Sequence, residues 1–144
     1  MPYIYRSAGM LRDKPKVGST ECVALVQHFT KVGPTSGWVA GERVAGNNRI
    51  AIGTAIATFR NGRYGGADHN NHTAFFLRHG PNGSIVVMDQ WRDRAHRPRR
   101  DISIRTIERK GEPHPDGTCR KKAIMPMRSL SSNVIWRLWS SRRA

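Results

Sequence analysis

The sequence predicts an α+β domain in which one N-terminal helix packs against a small antiparallel sheet. Three observations predict it: a helical segment near Cys22, a series of short apolar segments behind it, and turn residues between those segments. Short strands separated by tight turns favour antiparallel pairing, and an amphipathic helix must bury its apolar side against them. The 144 residues, of which 38% are hydrophobic, are enough for one modest core.

The helix is predicted over residues 21–29, directly after two residues that can cap it, Ser19 and Thr20. Its apolar side chains recur at roughly helical spacing, at Val23, Val26 and Phe29. The pair Gly33-Pro34 follows, and proline cannot continue a helix. Cys22 therefore falls in the first turn of this helix.

Four strands are predicted from apolar segments that turn residues separate. They cover residues 50–59, 72–77, 84–91 and 102–107. The second and third strands are joined by the turn Pro81-Asn82-Gly83, so we expect them to pair as an antiparallel hairpin. The fourth strand alternates cleanly between apolar and polar residues.

The composition changes near the C-terminus. No acidic residue follows Asp116, whereas basic residues continue to the end of the chain. We therefore assign residues 1–116 to the folded domain and residues 117–144 to a basic, poorly ordered C-terminal tail with few core contacts. Within this tail a short helix is predicted near residues 134–139.

Positive charge is the most unusual bulk property of the chain. The chain contains 25 Lys and Arg residues but only 10 Asp and Glu residues, which gives a net charge of +15. Such a charge attracts polyanions, including nucleic acid, anionic lipid and anionic cell-wall polymer, and also acidic proteins. No apolar run is long enough to cross a membrane, so no membrane insertion is expected. The first residues lack the apolar stretch of a secretory signal, so we expect a chain made in the cytoplasm and exported, if at all, by another route.

Cys22, His72 and Asp89 form a candidate catalytic group. The first turn of a helix presents unpaired amide groups and a partial positive charge, both of which favour the thiolate form of Cys22. His72 opens the second predicted strand, where it can face a helix end and act as the base. Asp89 lies near the end of the partner strand, within reach of the imidazole. Cys119 lies in the basic tail and is not expected to be catalytic.

These segments resemble a known superfamily of cell-wall amidases. Residues 21–27, 71–77 and 86–91 are similar to the motifs of the NlpC-like and CHAP proteins, which are papain-like. In that superfamily a cysteine starts a helix, a histidine starts a strand, and a polar residue on the next strand orients the histidine. CHAP domains also carry an acidic residue, a glutamine and a tryptophan close together, as Asp89-Gln90-Trp91 does here. More narrowly, residues 5–110 or so resemble the small amidase effectors of bacterial type VI secretion.

The resemblance implies a papain-like core and cleavage of an amide bond in a peptidoglycan stem peptide or cross-link. Cys22 would attack the carbonyl carbon, His72 would protonate the leaving amine and then activate water, and Asp89 would fix the imidazole tautomer. No cofactor is implied. Such an effector is expected to act in the periplasm of a target bacterium, and a cognate immunity protein would neutralise it in the producing cell.

Two other functions stay open at this point. Asp68, His69 and His72, with Cys22 as a fourth ligand, could hold the metal ion of a hydrolase, although their spacing matches no known zinc signature. Alternatively, the charge and tryptophans could serve a nucleic-acid-binding module without catalytic activity. The basic residues are spread widely and no RNA-binding or helix-turn-helix motif is present, so no specific nucleic acid is expected.

Overall fold

The computed structural model describes residues 2–65, 71–93, 100–108 and 135–141. In this part of the chain there is one α-helix, α1, and there are six strands. Their bounds are α1 Cys22–Thr30, β1 Trp38–Arg43, β2 Ala55–Phe59, β3 Thr73–His79, β4 Ile85–Asp89, β5 Ser103–Ile107 and β6 Ile135–Ser141. None of the helices described is both long and apolar enough to span a membrane.

The six strands form a single sheet in the order β1-β6-β2-β3-β4-β5, and every neighbouring pair is antiparallel. Phe75 on β3 lies opposite Met88 on β4, which confirms the predicted hairpin. Because β3 and β4 run in opposite directions, the residue before β3 and the last residue of β4 lie at the same end of the sheet. The topology therefore brings His72 close to Asp89.

The sheet is covered by α1 on one face. The buried helix residues Leu25 and Val26 belong to the same apolar cluster as Phe75 and Met88. A second cluster contains Ile56, Ala74, Phe76, Ile85 and Val87, the residues that alternate with the first set along the strands. This confirms the α+β arrangement with a helix packed on an antiparallel sheet.

The helix begins at Cys22, one residue after the predicted start, and its cap also differs from the prediction. The N-cap residue is Glu21, in extended conformation, and no side chain caps the helix by a hydrogen bond. Thr20 precedes it with a positive φ of 64°. The predicted capping role of Ser19 or Thr20 is therefore wrong, and the segment before the helix must be held by other contacts.

Two strands differ from the prediction. The strand predicted over residues 50–59 begins only at Ala55, since Gly53 has a φ of +83° and interrupts the extended chain. The helix predicted near residues 134–139 is wrong, because residues 135–141 form β6, which lies between β1 and β2. This part of the predicted tail belongs to the sheet, while residues 109–134 lie outside the described residues and the boundary at 116/117 stays a prediction.

Gly53 joins the N-terminal segment to β3 by backbone hydrogen bonds. Its carbonyl accepts a hydrogen bond from Tyr5 N, and its N–H donates to the carbonyl of Phe76. A Cβ at this position would lie 2.0 Å from the carbonyl oxygen of Tyr5. The close approach and the positive φ together require glycine.

We expect Gly53→Ala to lower the free energy of unfolding by about 2 kcal/mol or more. The added Cβ would clash with the Tyr5 carbonyl, and alanine would also be strained at this positive φ. Chemical denaturation with urea measures the change. Gly37→Ala is the matched control, because a Cβ at Gly37 meets no atom within 4 Å. Equal stability of the two variants would contradict the steric explanation.

Candidate active site

Cys22, His72 and Asp89 meet at one end of the sheet, and all three are buried. Cys22 is the first residue of α1, His72 immediately precedes β3, and Asp89 is the last residue of β4. The start of one helix and the ends of two strands thus bring together the three residues that the sequence predicts as a catalytic group.

The imidazole of His72 is oriented by Asp89. His72 Nε2 lies 2.8 Å from Asp89 Oδ2. Burial alone raises the pKa of Asp89, but the hydrogen bond and charge of His72 and the charge of Arg105 outweigh burial and lower that pKa below its ordinary value. Since the ionised carboxylate can only accept, Nε2 carries the proton and donates it to Oδ2. This bond fixes the tautomer, so Nδ1 is the ring nitrogen that can exchange a proton with another group.

Arg105 is a fourth member of this group that the sequence analysis missed. Its Nε and Nη2 donate to Asp89 Oδ2 over 2.9 and 2.6 Å. In the antiparallel pair of β4 and β5, Asp89 lies opposite Ser103 and Val87 lies opposite Arg105, so Arg105 reaches Asp89 diagonally on the same face. The guanidinium balances the buried carboxylate and keeps it ionised.

The thiol of Cys22 and the imidazole of His72 favour their charged forms together. Burial raises the pKa of the thiol, but the hydrogen bond and charge of His72, with bonds to the Thr73 backbone and Tyr64, lower it below its ordinary value. Burial lowers the pKa of His72, whereas hydrogen bonds to Asp89 and Cys22 raise it above its ordinary value. The site therefore favours a thiolate–imidazolium pair, the reactive form of a nucleophilic cysteine.

Trp91 covers the imidazole on one side. The two rings are stacked with centroids 4.1 Å apart and planes at 10°. Arg105 Cζ lies 4.9 Å from the centroid of the same indole, and Trp91 Nε1 donates to Asp89 Oδ2 over 3.3 Å. The indole keeps water from this side of the His72–Asp89 bond, which strengthens the bond by lowering the local dielectric constant.

Tyr64 is a second residue that the sequence analysis missed. Its hydroxyl lies 3.9 Å from the sulfur of Cys22, and its ring packs against Trp38 and Phe59. Burial and the negative charges of the Cys22 thiolate and Glu21 raise the pKa of Tyr64 well above its ordinary value. The phenol is therefore neutral at physiological pH and can donate to the sulfur or to an oxygen atom bound beside it.

A cavity of about 460 Å³, lined by both polar and apolar groups, opens next to the thiol. Its polar side chains are those of Ser19, Glu21, Gln27, Thr35, Tyr64 and Asn71. These hydroxyl, amide and carboxylate groups can bond to the backbone of a peptide that lies across Cys22. The site thus combines a thiol and an imidazole, groups that can act as nucleophile and base, with a groove that offers hydrogen-bonding side chains.

The residues proposed for a metal site are only partly described. Asp68 and His69 lie outside the described residues, as does Cys119. Among the residues whose placement is given, no group of three or more His, Cys, Asp and Glu side chains is arranged to hold a metal ion. A metal site that uses Asp68 and His69 stays an untested alternative.

The charge of Asp89 predicts a change in the reactivity of Cys22 with pH. Asp89 raises the pKa of His72, so Asp89→Asn should lower that pKa, reduce the imidazolium population and weaken its support of the thiolate. We therefore expect the pH midpoint of Cys22 alkylation by iodoacetamide to rise. The measurement uses a Cys119→Ala background, in which Cys22 is the one remaining cysteine.

Glu42→Gln is the matched control for Asp89→Asn. Glu42 lies on the exposed end of β1, where it contacts Asn47 and Arg49 rather than the candidate site. This control should leave the alkylation midpoint where it is in the wild type. An unchanged midpoint in Asp89→Asn would show that the carboxylate does not act through His72.

Three comparisons place the chain among known proteins. The model of the family described as domesticated amidase effector 2 (Dae2) matches residues 9–118. A type VI secretion amidase effector 2 protein of Salmonella typhi is 47% identical over 121 residues, which cover 82% of this chain and 89% of that protein. A solved structure of type 6 secretion amidase effector 2 (Tae2) matches with a TM-score of 0.75 and 35% sequence identity, over 99% of this chain and 97% of that one. The match to the family model spans Cys22, His72, Asp89 and Arg105.

Proposed function

The chain belongs to the domesticated amidase effector 2 family, and from this premise we propose that it is a cysteine-dependent peptidoglycan amidase. The family membership confirms the resemblance to small type VI amidase effectors that the motifs indicate. The observation that carries the proposal is the buried array of Cys22, His72 and Asp89 at the N-terminus of α1. Its helix-on-sheet setting also supports a papain-like core of the NlpC and CHAP kind.

In the proposed acylation step, Cys22 Sγ attacks the carbonyl carbon of an amide bond. The developing oxyanion is stabilised by first-turn N–H groups of α1 and by the neutral hydroxyl of Tyr64. His72 Nδ1 then gives its proton to the leaving nitrogen, the C–N bond breaks, and an acyl thioester on Cys22 remains.

In the proposed deacylation step, the now neutral Nδ1 of His72 accepts a proton from water. The resulting hydroxide attacks the thioester, the C–S bond breaks, and the thiolate–imidazolium pair is restored. The product leaves as a carboxylic acid, which then loses its proton to solvent. Asp89 and Arg105 hold Nε2 in place throughout both steps, and no cofactor takes part in the proposed scheme.

The proposed substrate is a stem peptide or cross-link of peptidoglycan. The polar side chains of the cavity beside Cys22 can bind a peptide backbone, and the net charge of +15 favours association with an anionic cell wall. As an antibacterial effector of type VI secretion, the protein would act in the periplasm of a target bacterium. A cognate immunity protein that covers this cavity would protect the producing cell.

Digestion of purified peptidoglycan, followed by mass spectrometry of the released muropeptides, tests the proposal. The expected products carry a new free amine and a new carboxyl group at one amide bond, and prior alkylation of the protein should prevent their release. A chelator should have no effect on the rate. Absence of release by the intact protein, or release that a chelator abolishes and zinc restores, would contradict the thiol mechanism.

A further inference from the structure

Two segments that are not paired in the sheet are joined beside the candidate active site. The first, residues 16–21, leads directly into Cys22, and the second, residues 90–93, follows directly after Asp89. Gln90 joins them, and its side chain is among the most deeply buried polar groups, with 1% exposure. The contacts between these segments therefore set how the nucleophile lies relative to its histidine and aspartate.

Gln90 makes three hydrogen bonds to the backbone of the first segment. Its Oε1 accepts from Val17 N over 3.0 Å. Its Nε2 donates to the carbonyl oxygens of Val17 and Glu21, each over 2.9 Å. The amide thus uses its acceptor and both donors on one segment, a pattern that fixes both position and orientation.

The bond to Glu21 acts closest to the chemistry. Glu21 is the N-cap of α1, and no side chain caps this helix by a hydrogen bond. The carbonyl that Gln90 holds belongs to the residue before Cys22, and Gln90 itself follows Asp89. A displacement of this carbonyl would move the sulfur and the first-turn N–H groups together, relative to the imidazole.

Two ionic contacts flank the amide nearer the surface. Lys16 Nζ donates to the carbonyl of Trp91 over 3.0 Å and pairs with the carboxylate of Asp93. Arg92 Nε lies 3.1 Å from Glu21 Oε1, where both side chains are substantially exposed. The exposed Arg92–Glu21 pair contributes little. Lys16 is largely buried, but it lies six residues before Cys22, whereas Gln90 holds the carbonyl of the residue next to Cys22.

We propose that Gln90 is a positioning residue, which holds the N-terminus of α1 so that Cys22 meets His72 at reactive distance. Its effect on catalysis rests on the proposed amidase function, whereas its effect on the thiol does not. Removal of the amide takes the side-chain acceptor from Val17 N and leaves the carbonyls of Val17 and Glu21 with only their backbone donors, Thr20 N and Ala24 N. The two segments then lose the three bonds that join them here, and the start of α1 is free to shift. A shift of about 1 Å in a reacting group can reduce the rate roughly a hundredfold.

Gln90→Met and Gln90→Asn test this role in a Cys119→Ala background. Methionine keeps the length of the side chain but forms none of the three bonds, and asparagine keeps an uncharged amide on a side chain one methylene shorter. We expect the midpoint of Cys22 alkylation to rise in Gln90→Met toward the value of an ordinary thiol, about 8.5, with a smaller rise in Gln90→Asn. The kcat of muropeptide release should fall about 10- to 100-fold in Gln90→Met, at matched folding by circular dichroism.

Ser84→Ala is the matched control for loss of a buried polar contact. Ser84 Oγ donates to the carbonyl of Pro81 over 2.7 Å, at the opposite end of β4 from Asp89. This variant can lower the melting temperature, but its alkylation midpoint should equal that of the wild type. If Gln90→Met does not fold, the alkylation midpoint of Gln90→Asn tests the positioning role in its place.

A wild-type midpoint in the folded Gln90 variants would overturn the positioning role, and so would an equal shift in Ser84→Ala. The alkylation measurement needs no substrate. If the wild-type protein releases no muropeptides, the proposed amidase function fails while the role of Gln90 is still decided by the thiol.

Discussion

Replacement of Cys22 by alanine is expected to abolish muropeptide release and to leave the fold intact. The sulfur is the nucleophile in the proposed mechanism, and no neighbouring hydroxyl in the described site has a base positioned to replace it. Loss of a catalytic nucleophile of this kind lowers kcat by a factor on the order of 10⁴ or more. The side chain is small and lies at the start of α1, so the change in unfolding free energy should be about 1 kcal/mol or less.

The measurement is the initial rate of muropeptide release at matched protein concentration, with folding checked by thermal unfolding. Cys119→Ala is the control, because it removes the same chemical group from a position outside the predicted catalytic group, and it should retain wild-type activity. Full activity in Cys22→Ala, lost with a chelator and restored by zinc, would favour the metal-dependent alternative with Asp68, His69 and His72.

The candidate site could be predicted because its three residues lie in segments that local sequence signals identify. A cysteine at a helix start can be recognised from local signals, since the helix pattern and its preceding turn residues lie within ten positions. The hairpin of β3 and β4 is also local, because one tight turn joins its strands. Once that hairpin is inferred, a histidine before one strand and an aspartate at the end of the other must lie close together.

Arg105 and Tyr64 could not be inferred in the same way. Arg105 reaches Asp89 only in the observed register of β4 and β5, and a shift of one residue would turn its side chain to the other face. The segment between these strands has no turn motif that would fix the register. Tyr64 lies in a glycine-rich turn with no periodic pattern, so its contact with Cys22 depends entirely on the tertiary fold.

The sixth strand shows how composition misled the prediction for the C-terminal segment. Residues 135–141 are rich in aromatic and branched side chains, which favour strands, but they follow a basic stretch without acidic residues. Strand formation there depends on pairing with β1 and β2, both of which lie far upstream in the sequence. Such non-local pairing leaves no local turn signal to detect.

That strand has a structural consequence for the domain assignment. Because β6 lies between β1 and β2, β1 contacts the rest of the sheet through β6. A protein that ends at residue 116 would lack this connection, and the edge of β2 would be left unpaired. The region assigned to a tail therefore contributes a central part of the sheet, at least over residues 135–141.

Replacement of His72 by alanine is the second change with a very large expected effect. The imidazole is the group that supports the thiolate and protonates the leaving nitrogen in the proposed mechanism. Its removal should lower kcat by a factor on the order of 10³ to 10⁴. The midpoint of Cys22 alkylation should also rise, because the hydrogen bond and positive charge that lower the pKa of the thiol are lost while burial, which raises it, remains.

The same rates and alkylation profiles measure this variant, with His28→Ala as control. His28 is an exposed histidine on α1, six positions after Cys22, and it contacts Phe29 rather than the candidate site. Because the two residues act as one unit, the double variant of Cys22 and His72 should be little slower than Cys22→Ala alone. Additive losses in the double variant would mean that His72 contributes to the reaction independently of the thiol, which the geometry of a thiolate–imidazolium pair does not allow.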